Sequence, residues 1–371
     1  MSKKLTSAVL LVEGGRQDAD LVYASGFSAP DPVVLLVHGR RKTLAVSLLE
    51  FGRAKEEARV SEVLTPQLLG LEGADRHRLS QWAVAVVKRA RLRAVRVAAH
   101  FPVSIADQLR KAGIRIEVST APLFPGRRQK SPTEIKQIAT TQRAAVAAMR
   151  AAMEWIQSAG VDRRGYLRQD GKRLTSERVR RLIEQRLLEA DCAADETIVA
   201  GGSQGAEPHE RGHGPLRSGQ PIVIDIFPRH KQSGYCGDIT RTIVHGQPVP
   251  EVARMLTAVK AAHGAALKAV RPGVAVKTVH TTAQETLLRH GFETTVKNGW
   301  GEGFIHSTGH GIGLEIHEAP SINLSSTRLL LGDVITIEPG LYYRRWGGVR
   351  IEDTVVVTRQ GAKILARCPY P

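Results

Sequence analysis

The residues with the most chemistry to offer lie in three consecutive pieces: Gly309-His-Gly-Ile-Gly-Leu-Glu-Ile-His-Glu318, then Thr336-Ile-Glu338-Pro-Gly340, then Arg350-Ile-Glu352-Asp-Thr354. Two more acids, Asp225 and Asp238, stand upstream, so the chain can furnish four carboxylates and an imidazole, that of His310, to one hard or borderline metal centre. A single aspartate at a strand end is ordinarily a turn residue, and a single histidine is ordinarily structural. The matched quartet argues differently, because acids on strands that otherwise read as buried are costly unless a cation or hydrogen bonds compensate. Crowded carboxylates also raise one another's pKa unless metal charge offsets the repulsion. A dinuclear site is the economical reading, and an imidazole among carboxylates favours Mn, Co, Fe or Zn over Ca.

His306, His310 and His317 are spaced by four and seven residues, with Gly309, Gly311 and Gly313 between and around the last two. The glycines imply close backbone approach and irregular geometry rather than a helix. On such an extended segment His317 need not point where His310 points, so one can ligate while the other meets substrate. Neither Gly201-Gly202 nor the 309–313 run has the Lys-Ser/Thr ending of a phosphate loop or the full dinucleotide fingerprint, so nucleotide binding is not expected.

The elements that must hold these residues read as follows. Ser131-Pro-Thr-Glu134 opens a helix running to about Ser158, and Thr175 caps a second one bearing Val179, Leu182, Ile183 and Leu187. Strands follow at 197–200, 222–226 and 239–244. The order then recurs: helices over 251–270 and 279–289, then strands at 313–317, 334–338 and 350–357. Each half contributes one acidic hairpin, Asp225 and Asp238 in the first, Glu338 and Glu352 in the second. Two α+β halves whose sheets face a shared cleft are expected.

Upstream, residues 1–124 form a smaller α/β domain with strands at 33–37, 44–49, 95–99 and 114–118, expected to act as scaffold or oligomerisation domain; 125–130 is the linker and 131–371 the larger domain. The formal charge of +17 is spread thinly: residues 1–130 hold 22 Lys/Arg against 12 Asp/Glu, and the one dense run, Lys88 to Arg96, is interleaved with apolar residues as a solvated face is. Nucleic acid is therefore not an expected partner. Three scattered cysteines, Cys192, Cys236 and Cys368, argue against a disulfide framework. The opening Met-Ser-Lys-Lys-Leu-Thr-Ser precedes no sustained apolar run, so neither signal peptide nor membrane span is read, and a cytoplasmic protein is expected.

Asp225, the run Gly237-Asp-Ile-Thr-Arg-Thr242, His306-Ser-Thr-Gly-His310, His317-Glu318, Ile337-Glu-Pro-Gly340 and Gly348-Val-Arg-Ile-Glu-Asp353 together resemble the creatinase, aminopeptidase P and prolidase branch of the pita-bread metallopeptidases. The likeness spans essentially the whole chain. It implies a pita-bread C-terminal domain with pseudo-two-fold halves, behind a creatinase-type N-terminal α/β domain. By this resemblance Asp225, Asp238, His310, Glu338 and Glu352 ligate two divalent ions, manganese foremost, with Asp238 and Glu352 bridging. Glu338 doubles as general base. His209, in Glu207-Pro-His209, lines the active site; His317 contacts the substrate around the scissile bond; His306 is a substrate-side pocket residue; Arg350 orders the acidic shell or binds substrate.

The implied activity is hydrolysis of Xaa-Pro peptide bonds by a metal-activated water, releasing the N-terminal residue, in a protein that forms homodimers. A prolidase-like dipeptidase is the alternative. Others are a relative cleaving a non-peptide C–N bond, which retention of all five ligand positions argues against, and a pseudoenzyme that binds protein or nucleic acid. One departure stands out: Asp225 and Asp238 are thirteen residues apart, two more than usual in the family. An even insertion preserves inward-facing parity. Arg229, His230 and Lys231, in the longer connection, are expected to make the pocket rim basic and to favour a free carboxylate.

Overall fold

The computed structural model describes residues 8–13, 18–194 and 196–370, and the lysine-bearing start at 1–7 lies outside them. The chain divides into two compact units, 1–127 and 128–371.

The first unit is built on a six-stranded mixed sheet, ordered β4-β3-β2-β1-β5-β6. Its strands are β1 (Ala8–Glu13), β2 (Val33–His38), β3 (Arg41–Ala45), β4 (Glu62–Leu64), β5 (Ala94–Ala98) and β6 (Arg115–Ser119). Period-two alternation divides the strands' side chains between two cores. Leu10, Val12, Val34 and Leu36 pack with Trp82, Val86 and Leu109 on one face, and Val9, Leu11, Val33 and Leu35 pack with Leu21, Phe27 and Ala54 on the other. The apolar run expected as strand to residue 49 stops at Ala45. Leu48 and Leu49 instead open a helix, Leu48–Glu57, and leave their side chains exposed.

The segment read as a linker is fastened on both sides of the division: Arg127 pairs with Asp20 in the first unit, while Arg128 pairs with Asp333 and Lys130 with Glu318 in the second.

The second unit opens with α1 (Pro132–Gln157), whose capping box joins Ser131 and Glu134, and α2 (Ser176–Glu189), capped by Thr175. Their apolar stripes cover a three-stranded antiparallel sheet of β7 (Ile198–Gly201), β8 (Pro221–Ile226) and β9 (Ile239–Val244). The second half repeats the plan: α3 (Pro250–Ala269) and α4 (Val276–Arg289) cover β10 (Val334–Ile337), β11 (Gly340–Tyr343), β12 (Gly347–Arg350) and β13 (Asp353–Thr358).

Two expectations fail here. Residues 313–317 are not a strand but part of a bend closed by reciprocal bonds between Gly311 and Glu318, at 2.9 and 2.7 Å. The run 350–357 is not one strand but is interrupted at Ile351-Glu352, where the Glu352 amide turns away to the Thr240 carbonyl, 3.0 Å. The three cysteines are buried free thiols, and no helix among the described residues is long and apolar enough to cross a membrane.

Candidate metal centre

β8 and β9 place the first pair of acids. Asp225 is directly opposite Thr240, and Asp238 lies two residues before Thr240, so all three share a face and the longer connection keeps the parity. Gln142, from α1, brackets the Asp238 backbone: its Nε2 donates to the Asp238 carbonyl and its Oε1 accepts from the Asp238 amide, each at 2.7 Å. Thr354 Oγ1 donates to the same carbonyl at 2.8 Å.

In the second half, Glu338 follows β10, and the segment 308–312 runs antiparallel to that strand. Glu338 N donates to Thr308 O, Thr336 N to His310 O, and Ile312 N to Val334 O, at 2.8 to 3.0 Å. Gly309 is required for this approach, since a Cβ there would collide with the Thr336 carbonyl. The ladder sets His310 beside Glu338, Nε2 to Oε1 3.3 Å, and 3.6 Å from Asp238 Oδ2. His310 Nδ1 faces the Gly311 carbonyl at 3.1 Å, which makes Nδ1 the protonated nitrogen and leaves Nε2 as a lone-pair donor toward the acids.

Ligand atoms of Asp238, His310 and Glu352 lie within 4.8 Å of one another. Thr240 Oγ1 donates to Glu352 Oε2 at 2.8 Å. Asp225 stands slightly apart: its Oδ2 accepts from Arg350 Nη2 at 2.6 Å, while its Oδ1 is buried without a hydrogen-bond partner.

Burial first, then the charges of Glu352, Asp225 and Glu338, pushes Asp238 well above the usual carboxylate range. Glu352 rises likewise through burial and then Glu338 and Asp225. Glu338 is pushed up to about 7, mainly by burial. Burial lowers the pKa of His310, holding it neutral. Four crowded carboxylates, one orphaned oxygen and a neutral imidazole aimed at them fit divalent metal: the donor set is rich in oxygen, and added positive charge removes the cause of the upward shifts.

The remaining predicted residues surround a cleft of about 840 Å³ lined by the five candidate ligands with His209, His306, His317 and Arg350. His317 is exposed at its edge, packed edge-on to His310 with centroids 4.4 Å apart, on the bend that Glu318 anchors to Lys130 Nζ at 2.7 Å. His306 shares a 2.8 Å bond with the Tyr342 hydroxyl and is held down to about 3 by burial and Arg350. Arg350 is buried and engaged on all sides: Nη1 donates to Tyr342 Oη and the Pro208 carbonyl, Nη2 to Asp225, and Nε to Thr240. Arg229 is spent on the Gly234 and Leu314 carbonyls, and neither it nor His230 nor Lys231 lines the cleft, so the basic rim expected there does not form.

Sequence reasoning missed the residues that hold the ligands. Thr240 and Thr336 stand two positions from Asp238 and Glu338, a period-two signal that could have found them. Arg241 carried no such signal. Fully buried, it donates to the Glu352 carbonyl at 2.5 Å, to Asp353 Oδ1 at 2.7 Å, and to the carbonyls of Cys368 and Pro369. Behind it His263 Nδ1 and the Tyr370 hydroxyl are 3.0 Å apart.

Residues 136–359 match the model of metallopeptidase family M24. An Xaa-Pro dipeptidase of Pyrococcus horikoshii is 30% identical over 99% of this chain and 94% of its own length. An Xaa-Pro dipeptidase of Pyrococcus furiosus is 41% identical over 48% of this chain, which spans about half (49%) of that relative. Among solved structures, an X-Pro aminopeptidase from Thermotoga maritima has a TM-score of 0.82 at 25% identity, covering 99% of this chain and 97% of that one. The family match takes in both acidic hairpins and the glycine-rich segment between them, and the likeness to the horikoshii relative and to the Thermotoga structure continues through both units, so this chain, with its pita-bread α+β fold, belongs to metallopeptidase family M24.

Proposed function

We propose that the protein hydrolyses the peptide bond before proline in Xaa-Pro peptides, releasing the N-terminal residue. The observation that carries this reading is the convergence of Asp238, His310 and Glu352 within 4.8 Å at a peptide-sized cleft, with Glu338 against His310. Asp225, Asp238, His310, Glu338 and Glu352 would hold two divalent ions, and manganese suits a set of carboxylates with one imidazole. Such ions, when bound, supply Lewis-acid polarisation of a carbonyl and a water of lowered pKa.

The chain's own groups do the rest. Glu338 sits at the cleft floor, its carboxylate touching both Thr336 Oγ1 and His310, where it can take a proton from water and return it to the leaving proline nitrogen. His317, its pKa lowered by partial desolvation and then by neighbouring His310, stands at the edge as a donor for the developing oxyanion. His209, exposed on the rim, is a second substrate contact. Arg350 fixes Asp225 and Tyr342 and acts through them.

Peptides longer than two residues are the better substrates. A dipeptide presents its carboxylate next to the scissile bond, yet among the described lining residues the one permanent cation is Arg350, whose donors are engaged. A second reading, a dipeptidase acting on Xaa-Pro alone, is supported by the two Pyrococcus relatives, both Xaa-Pro dipeptidases. The working form we assign is a cytoplasmic homodimer, supported by the resemblance to the branch and by three unpaired thiols.

The test is alanine release from Ala-Pro and from Ala-Pro-Ala with manganese and after chelation. Manganese-dependent turnover of the tripeptide at the higher kcat/KM is expected. No turnover of either peptide ends the proposal, and turnover of the dipeptide alone selects the second reading.

A further inference from the structure

Part of the charge excess, thin along the sequence, is brought together on one small sheet of the second unit. Residues 160–173 form a three-stranded antiparallel ribbon in which Arg168 is directly opposite Arg173, and Tyr166 is bridged to Arg217. Tyr166 and Arg168 are two apart on one strand, so all four side chains share a face, while Leu167 between them is buried. Arg168, Arg173 and Arg217 are exposed, and the guanidinium groups of Arg173 and Arg217 lie 4.3 and 4.7 Å from the Tyr166 ring. Arg163 and Arg164 stand exposed in the turn at one end, and Lys172 is exposed on the third strand.

Like charges directly opposite on a sheet are destabilising; Arg168 and Arg217 each donate through one nitrogen to a turn carbonyl, of Gly171 and of Arg164. Little acid offsets them. Asp162 contacts Arg173 at 3.4 Å and Asp170 contacts Arg178, and no carboxylate among the described residues pairs with Arg168 or Arg217.

We infer that this face binds the phosphodiester backbone of nucleic acid without reading sequence. Guanidinium forks match phosphate oxygens, and stacking on Tyr166 holds two of them in place before a partner arrives. The tyrosine ring, occupied by arginines, is not offered to bases, so the interaction is electrostatic and salt-sensitive.

The test is fluorescence anisotropy of a labelled oligo(dT) of about 20 nucleotides with the full-length protein, across a salt series. Binding should weaken steadily with salt. The triple variant R168E/R173E/R217E should lose at least about tenfold in affinity and flatten the log–log salt slope by about 2, three contacts at about 0.7 each. A control with the same charge change elsewhere, R186E/R254E/R345E, should stay within about threefold of the parent, and R168K should retain binding. Circular dichroism and Tm certify that each variant is folded, and R168E alone should raise Tm by relieving the Arg168–Arg173 repulsion. The inference is overturned by absence of salt-dependent binding, by equal losses in the two triples, or by poly-glutamate competing as well as the oligonucleotide.

Discussion

The two halves of the second unit hold their acids in different ways. In the first, the backbone of Asp238 is gripped from outside by Gln142, and its neighbour Thr240 reaches across to Glu352. In the second, Glu352 sits at a break in the strand, where Arg241 and the Thr240 carbonyl, both from the first half, fix its main chain. Asp225, conversely, is held by Arg350 of the second half. Each half thus supplies the brace for the other's acid. The lesson is that the pseudo-symmetry lies in the acids, whereas the supports are unlike and interlocked.

The sharpest way to break this arrangement is Asp238→Ala. Hydrolysis of Ala-Pro-Ala should fall at least about a thousandfold, as expected when one member of an interdependent set is removed. The chelated variant should nonetheless melt higher than the chelated parent, because one buried like charge has gone. Unchanged turnover would remove Asp238 from the chemistry.

Arg350→Gln removes the cross-brace while leaving every ligand. Manganese affinity, read by electron paramagnetic resonance, should drop about 10- to 100-fold, the usual cost of losing a partner behind a ligand. Unaltered affinity would show that Asp225 needs no help from the second half.

The smallest effect concerns pH. A carboxyl whose folded pKa is raised binds its proton more tightly when folded, so its stabilising contribution is complete below the unfolded value near 4.5 and is lost as pH rises through the folded value of about 7. The Tm of the chelated protein should therefore fall by several degrees between those limits, and manganese should abolish or reverse the slope. A flat profile after chelation would mean that the Glu338 carboxyl is not crowded in the way described.

Much of this centre was legible because its chemistry resides in residue types that buried strands avoid: Asp225, Asp238, Glu338 and Glu352 stand out against Ile and Val. Parity carried the two-residue-longer connection correctly, since strand geometry depends only on even or odd count. What escaped were features decided by distant partners. The 313–317 run alternates like a strand but bends because Glu318 is drawn to Lys130, and the strand at 350–357 breaks because Glu352 answers Thr240. Gln142 reads as an ordinary helix residue, and its partner is 96 positions away. Arg229 to Lys231 carried charge without revealing that Arg229 turns to backbone carbonyls instead of the cleft.

The interlocked bracing has a consequence for how substrate gets in. With Thr242 exchanging hydrogen bonds with the Arg350 backbone, and Arg241 tying Asp353 to the Cys368–Pro369 carbonyls, the halves are denied a hinge between them. The 311–318 bend is tied down as well, by Lys130 at Glu318, Arg229 at the Leu314 carbonyl and the Cys236 amide at the Gly313 carbonyl, so substrate enters a cleft that is already formed, and turnover should survive a cross-link between the two halves.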